Sequence, residues 1–278
     1  MPTPTQLSMI PLTITILGSG TSMGVPMAGC DCRVCRSPNP RDKRLRTSVH
    51  IAAGDRQLLI DTSADYRQQM LRAGITHLDA VLYTHHHVDH ILGMDDLRSF
   101  NIRNRTTIPI YGREETLANI QRVFTYAFPE DEDRWRLPKL SVHPITSDPF
   151  RAAGVPVTPV ELMHGRMPVL GFRIGDFAYC TDVNHIPDHS YARLRNLDVL
   201  ILDALRYDTH PSHFSIDEAV AEARRIGARR TYLTHLSHAV MHDEGEAALP
   251  EGVHLAYDGL RFELTLPDGA IAPTPVPA

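Results

Sequence analysis

The run Thr84-His85-His86-His87-Val88-Asp89-His90 places His85, His87, Asp89 and His90 within six residues, directly after the apolar stretch Ala80-Val81-Leu82-Tyr83. Imidazole nitrogen and carboxylate oxygen are the donors that borderline divalent ions prefer. At the two-residue step of an extended loop, His85 and His87 point the same way and can grip one ion. Asp89 and His90 then turn towards a second ion alongside. His86 occupies the variable position of the pattern and is read as a neighbour of the site, not a donor. A lone histidine is usually structural, and the chain has sixteen. Four donor-type side chains in ordered spacing behind a buried strand point instead to two-metal chemistry.

Three of the four cysteines are bunched as Cys30-Asp31-Cys32-Arg33-Val34-Cys35, and Cys180 stands alone in Phe177-Ala178-Tyr179-Cys180. In a reducing compartment such a bunch reads as metal ligation, not disulfides. Cys180, inside an apolar run, is expected to be buried and structural. The start Met1-Pro2-Thr3-Pro4-Thr5-Gln6 lacks the charged head and apolar core of a signal peptide. No run approaches the roughly 18 apolar residues of a membrane span, so a cytoplasmic protein without membrane contact is expected. A net charge of -5 carries no basic footprint for bulk nucleic-acid binding. The 278 residues, 42% hydrophobic and 22% charged, fit one large α/β domain or two small ones.

The elements that must hold these residues follow from periodicity and turn chemistry. Strands are expected at Leu12–Leu17, Ser48–Ala52 and Gln57–Ile60, the last two flanking the hairpin signal Gly54-Asp55. A helix over Asp65–Ala73 closes at Gly74. Strand Asp79–Tyr83 carries the histidine motif, and a helix over His90–Phe100 follows it. Further strands are expected at Ile108–Tyr111, Leu140–Ile145, Val155–Leu162, Gly171–Ile174, Phe177–Cys180, Val199–Leu202 and Thr231–Leu233. Ser215 with Glu218 forms a capping box for a helix over Ile216–Ile226. Arg113–Arg136 reads as helical insertion material with an acidic surface turn at Pro129–Asp133, and Ala270–Ala278 as a frayed tail. Strand-rich blocks, each followed by helices, predict two mixed sheets with helices on their outer faces. More donors lie just past apolar runs, where such scaffolds place functional groups: His164, Asp182 and His235.

With these residues assembled, the chain resembles a metallo-β-lactamase-fold hydrolase from Ile14 to about Arg261. The resemblance implies an α/β (α+β) fold, the αββα sandwich, spanning 1–278 as a single domain. It implies that His85, His87 and His164 hold one ion, that Asp89, His90 and His235 hold a second, and that Asp182 bridges them. An Asp bridge, where antibiotic-hydrolysing members carry Cys, points to the hydrolase and phosphodiesterase branches.

The start Leu17-Gly18-Ser19-Gly20-Thr21-Ser22-Met23-Gly24-Val25-Pro26 and the following cysteines are similar to the signature of PhnP-type phosphodiesterases, which open phosphoribosyl cyclic phosphates in phosphonate breakdown. That likeness implies a closed structural zinc site of Cys30, Cys32, Cys35 and His238, without a position free for water. It also puts His213 at an additional active-site position, with His210 as its rival. His185 and His189 are expected on the rim. The glycines of Gly18–Gly24 serve either a close approach to the site or only the turn.

The implied chemistry is hydrolysis of a small, cyclic or linear, phosphodiester by metal-activated water. Asp89 would orient that water and His213 would donate a proton or hydrogen bond. The implied cofactors are two divalent ions (zinc, manganese or iron) and one structural zinc, and a homodimer is the default assembly. The rival readings are a tRNA 3′-processing endonuclease and a non-hydrolytic PqqB-like protein of cofactor biosynthesis. The acidic run at Pro129–Asp133 argues against the first, and the full set of seven donors against the second.

Overall fold

The computed structural model describes residues 9–129, 137–267 and 269–271. The first sheet contains β1 (Met9–Gly18), β2 (Ser48–Ala53), β3 (Arg56–Ile60), β4 (Ala80–Leu82), β5 (Ile108–Gly112) and β6 (Leu140–Pro144). The second contains β7 (Phe150–Ala152), β8 (Val155–His164), β9 (Met167–Ile174), β10 (Phe177–Cys180), β11 (Val199–Asp203), β12 (Arg230–Thr234) and β13 (Val253–Leu255). The last strand, β14 (Arg261–Pro267), returns to the first sheet, so the orders are β14-β1-β2-β3-β4-β5-β6 and β13-β12-β11-β10-β9-β8-β7. Among the described residues six α-helices lie between them in sequence: α1 (Tyr66–Ala73), α2 (Val88–Ile91), α3 (Arg98–Asn104), α4 (Glu114–Val123), α5 (Ile216–Ile226) and α6 (His242–Ala248).

Three apolar clusters make this a four-layer αββα sandwich. Leu12, Ile14, Ile51 and Leu58 of the first sheet meet Leu170, Phe172, Tyr179 and Ile201 of the second in the central layer. Val81, Tyr83 and Ile110 pack against α1, α3 and α4 on one outer face, while Leu200 and Leu202 pack against Ile216, Ala219 and Ala223 of α5 on the other. Burial of this apolar surface drives the layering. Helix α5 starts as expected: Ser215 Oγ accepts from Glu218 N–H, and the Glu218 carboxylate accepts from Ser215 N–H. Helix α1 ends at Gly74 in the left-handed conformation. The β2–β3 hairpin turns at Gly54 and Asp55, with Ala53 opposite Arg56.

The mixed sheets matter for function because their parallel halves converge. Strands β3 to β6 run parallel, as do β10 to β13. Their carboxyl ends release Asp61, Thr84, Asp182, Asp203 and His235 into one crevice between the sheets, the usual place for ligands in such folds.

Several expectations need correction. The single helix over His90–Phe100 is instead α2, a 3-10 stretch Leu92–Leu97, and α3. The cause lies at Gly93, where a Cβ would fall 2.3 Å from the Ser63 carbonyl and 2.4 Å from Tyr66 Cβ. The chain is pressed against Ser63 and Tyr66 there, an approach that needs glycine, and glycine is a poor helix former. Strands β7, β13 and β14 were not expected, and β9 begins at Met167, not Gly171. His164 is the last residue of β8 and does not follow it. Of the 113–136 segment, α4 and the turn Thr125–Ala127 are helical; residues 130–133 of the acidic run lie outside the described residues, as does most of the 270–278 tail. The glycines near the start serve packing: a Cβ on Gly18 would lie 2.0 Å from the Arg46 carbonyl, and one on Gly20 2.8 Å from that of Arg44.

Candidate metal centre

The histidine motif leaves β4 as extended chain and then enters α2, and this change of pitch splits its donors into two groups. His85 and His87 meet His164 from the end of β8, all three donor atoms lying within 4.8 Å of one another. Asp89 and His90, on α2, meet Asp182 and His235 in a second such group. Asp182 touches both. Its Oδ1 is 3.9 Å from His85 Nε2 and 3.4 Å from His235 Nε2, and its Oδ2 is 3.2 Å from His90 Nε2. Asp89 Oδ2 lies 3.3 Å from His90 Nε2 and 3.8 Å from His235 Nε2.

Three of the rings are oriented through the Nδ1 that faces away from the centre. His85 Nδ1 is 3.0 Å from Thr84 Oγ1, and His164 Nδ1 is 2.7 Å from the Ser212 carbonyl. His90 Nδ1 is 2.8 Å from Asp61 Oδ2. The opposite nitrogens, Nε2 of His85, His90 and His235, are buried without a hydrogen-bond partner. Buried polar atoms left unpaired are costly. Converging Nε2 lone pairs beside two carboxylates fit a divalent cation of the zinc or manganese kind.

The charges agree. Burial holds His85 well below the usual imidazole range, and does the same to His87 and His164 more mildly, keeping that trio neutral as donors require. Burial would also depress His90 and His235. The carboxylates of Asp182 and Asp89, joined by Asp61 at His90 and by Asp203 at His235, together outweigh it, raising His90 far up and His235 to about 9. Asp182 itself is held well below the carboxylate range against its burial, by His235 and His90.

Two buried aspartates that the motif reading passed over support this cluster. Asp61 accepts from Thr84 N–H at 2.9 Å and Thr84 Oγ–H at 2.8 Å besides meeting His90. Asp203 accepts from Asp182 N–H at 3.0 Å and Phe214 N–H at 3.2 Å, and lies 3.2 Å from His213 Nδ1. Both follow apolar runs, Leu58-Leu59-Ile60 and Val199-Leu200-Ile201-Leu202, so the signal that marked Asp182 was present for them too. Asp61, Asp182 and His235 all adopt left-handed backbone (φ 61°, 53° and 62°), a strain that non-glycine residues accept mainly where geometry is tightly determined.

His213 is buried and groups with His164 and Asp182. His210 is half-buried, its ring 5.1 Å from that of His213, and it joins no such group. His86 flanks His87 at 6.0 Å between rings. His185 and His189 are exposed, His189 bonding Glu161 at 2.8 Å. Cys180 is fully buried, and burial pushes its thiol to about 12, which makes it inert.

A separate cluster forms where the cysteine loop meets the turn after β12. Cys30, Cys32, Cys35 and His238 lie within 4.8 Å of one another, with His238 Nδ1 3.3 Å from Cys30 Sγ and 3.4 Å from Cys32 Sγ. A tetrahedral zinc site with bonds of about 2.0–2.3 Å has S···N edges of roughly 3.6 Å, so the cage fits. The Cys32 thiol is drawn down to about 6 by the Cys35 N–H and by His238, whereas burial pushes Cys35 up to about 11. The four cysteines form no disulfide.

Among the described residues no helix is long and apolar enough to cross a membrane. Residues 56–236 match the family model described as a beta-lactamase superfamily domain. A crystal structure described as a new diphosphatase from the PhnP family is 42% identical, with a TM-score of 0.88 over 94% of this chain and 100% of that one. The octanoyltransferase of Porphyromonas gingivalis is 43% identical over 249 residues, covering 88% of this chain and 50% of that protein, so the chain spans about half its length. Coenzyme PQQ synthesis protein B of Cupriavidus taiwanensis is 26% identical across 91% of this chain and 99% of its own. Fold, motif spacing and these likenesses agree: the chain belongs to the beta-lactamase superfamily and, within it, to the PhnP family of metallo-β-lactamase-fold hydrolases.

Proposed function

We propose that the protein is a dinuclear-metal-dependent hydrolase of a small phosphodiester. The observation that carries this reading is the convergence of unpartnered Nε2 atoms on the two carboxylates of Asp89 and Asp182. His85, His87 and His164 would hold one ion, Asp89, His90 and His235 the other, and Asp182 would bridge them. Two such ions, zinc or manganese, supply charge neutralisation at phosphorus and lower the pKa of water.

The chain's own residues do the rest. Asp89 turns Oδ2 towards His90 and His235, and its second oxygen can accept a hydrogen bond from the attacking water. Asp203 accepts the Nδ1–H of His213, which leaves Nε2 to carry a proton to the departing oxygen. A phosphodiester suits this geometry, since it has two non-bridging oxygens, one for each half of the cluster. The likeness to a diphosphatase favours a near relative of that class, a disubstituted diphosphate, in which each phosphorus carries one ester and one anhydride link and likewise keeps two non-bridging oxygens. Cys30, Cys32, Cys35 and His238 would hold a structural zinc.

A panel of bis(p-nitrophenyl) phosphate, ribose cyclic phosphates, 2′,3′-cyclic nucleotides, dinucleoside diphosphates, precursor tRNA and an octanoyl thioester tests this. Hydrolysis of one or more small phosphodiesters, ahead of the tRNA and the thioester, is expected. Cleavage of tRNA or thioester alone would overturn the reading.

A further inference from the structure

His164 and His213 reach the cluster from different segments, the end of β8 and the loop before α5. The Ser212 carbonyl lies beside His164 Nδ1 although the two residues are 48 apart in sequence. The side chain of Asn184 joins those segments. Its Oδ1 accepts from Gly165 N–H at 2.7 Å, and its Nδ2 donates to the Pro211 carbonyl at 3.0 Å. The Asn184 backbone is fixed as well: its N–H donates to the Met163 carbonyl at 2.9 Å, and Met163 N–H donates to the His185 carbonyl at 3.0 Å. There is little slack between the segments, because a Cβ on Gly165 would lie 3.4 Å from Ser212 Cβ.

We infer that Asn184 is a positioning residue for the His85–His87–His164 group and for His213, acting through the Ser212 carbonyl. By tying Pro211 to the β8–β9 turn, it sets the next carbonyl, that of Ser212, against His164 Nδ1. A carbonyl can only accept, so Nδ1 carries the proton and Nε2 keeps the lone pair a metal needs. The residue after Ser212 is His213, whose Nδ1 must reach Asp203. The amide is chemically specific to this task. Gly165 N–H needs an acceptor and the Pro211 carbonyl needs a donor, and only an amide offers both at this reach. An aspartate would keep the first contact but turn an oxygen against the Pro211 carbonyl, and a leucine of similar size would make neither.

This role rests on the metal-binding reading above. Metal-free wild type, Asn184→Leu and Asn184→Asp are titrated with Zn²⁺ against a chelating indicator, and with Co²⁺, whose thiolate absorption band marks the cysteine cluster separately. Both variants are expected to lose about tenfold in affinity for one ion of the His/Asp cluster, to keep wild-type affinity at the cysteine cluster, and to lower kcat with KM little changed. A residue that only stabilised the fold would lower the melting temperature and leave ion affinities and kcat alone. Wild-type affinities and kcat in either folded variant would overturn the inference. In the unaltered protein, ¹⁵N NMR of the metal-free His164 ring should show the proton on Nδ1, and a proton on Nε2 would overturn the inference without any variant. A wild-type protein that takes up no ion at the His/Asp cluster would instead sink the reading on which the role rests.

Discussion

Asp203 stands at a junction: it bonds the backbone of Asp182, the ring of His213 and the amide of Phe214, and lies 3.7 Å from His235 Nδ1. His213 therefore depends on Asp203 for its orientation, and the pair should act as a unit. His213→Gln is expected to lower turnover about 100-fold or more with bound metal unchanged. Asp203→Asn should do likewise, and the double variant should be hardly worse than either. Steady-state kinetics with elemental analysis checks this, and additive losses would separate the two residues. The ligand-type residues were the most legible part of the sequence, because six consecutive positions from His85 to His90 fix their own mutual geometry. Asp61 and Asp203 were not legible in the same way. An aspartate after an apolar run serves a turn as often as a site, and only the folded strand ends show which histidine it meets. Asn184 had no sequence signal, since its partners are backbone atoms of distant segments.

At the level of elements, the turn after β12 carries both clusters, His235 in one and His238 in the other, three residues apart. Between them Leu236 pairs with the glycine loop: its N–H donates to the Ser19 carbonyl at 2.9 Å, and its own carbonyl accepts from Thr21 N–H at 3.2 Å. The glycine loop thus fixes the segment that delivers His235, and the cysteine cluster, through His238, is a second clamp on it. Cys32→Ala is expected to lose one zinc per chain and to melt roughly 5–10 °C lower, since zinc bound at such a site contributes directly to folding energy. Scanning calorimetry with zinc analysis checks this, and wild-type melting with full zinc would contradict the clamp. Element types were largely legible: the capping box of α5 and the Gly74 stop of α1 fall where local chemistry demands. Strand β14 was missed although Phe262, Leu264 and Leu266 alternate regularly, because its pairing partner β1 lies some 250 residues away. The break in the helix after His90 was illegible, since it depends on Gly93 meeting Ser63 and Tyr66 in space.

For the molecule as a whole, three apolar layers fix the two sheets, and charge fine-tunes their stability. His50 on β2 is 7% exposed, and its Nε2 is buried without a partner. Burial lowers it from 6.5 to about 4, so between these values the unfolded chain binds the extra proton. Its contribution is therefore complete above pH 6.5 and is lost as pH falls towards 4, by up to about 3 kcal/mol. His50→Leu should flatten the dependence of unfolding free energy on pH across that window, as urea titrations would show; an unchanged slope would place the titration elsewhere. The central claim concerns the two facing donor groups. The direct test strips the protein of metal, verifies this by elemental analysis, and follows bis(p-nitrophenyl) phosphate hydrolysis while zinc or manganese is returned. Hydrolysis should be absent from the stripped protein and should recover only as ions fill the His/Asp cluster, beyond the single equivalent taken by the cysteines. Full hydrolysis by the stripped protein, or complete recovery at that first equivalent, would contradict the account.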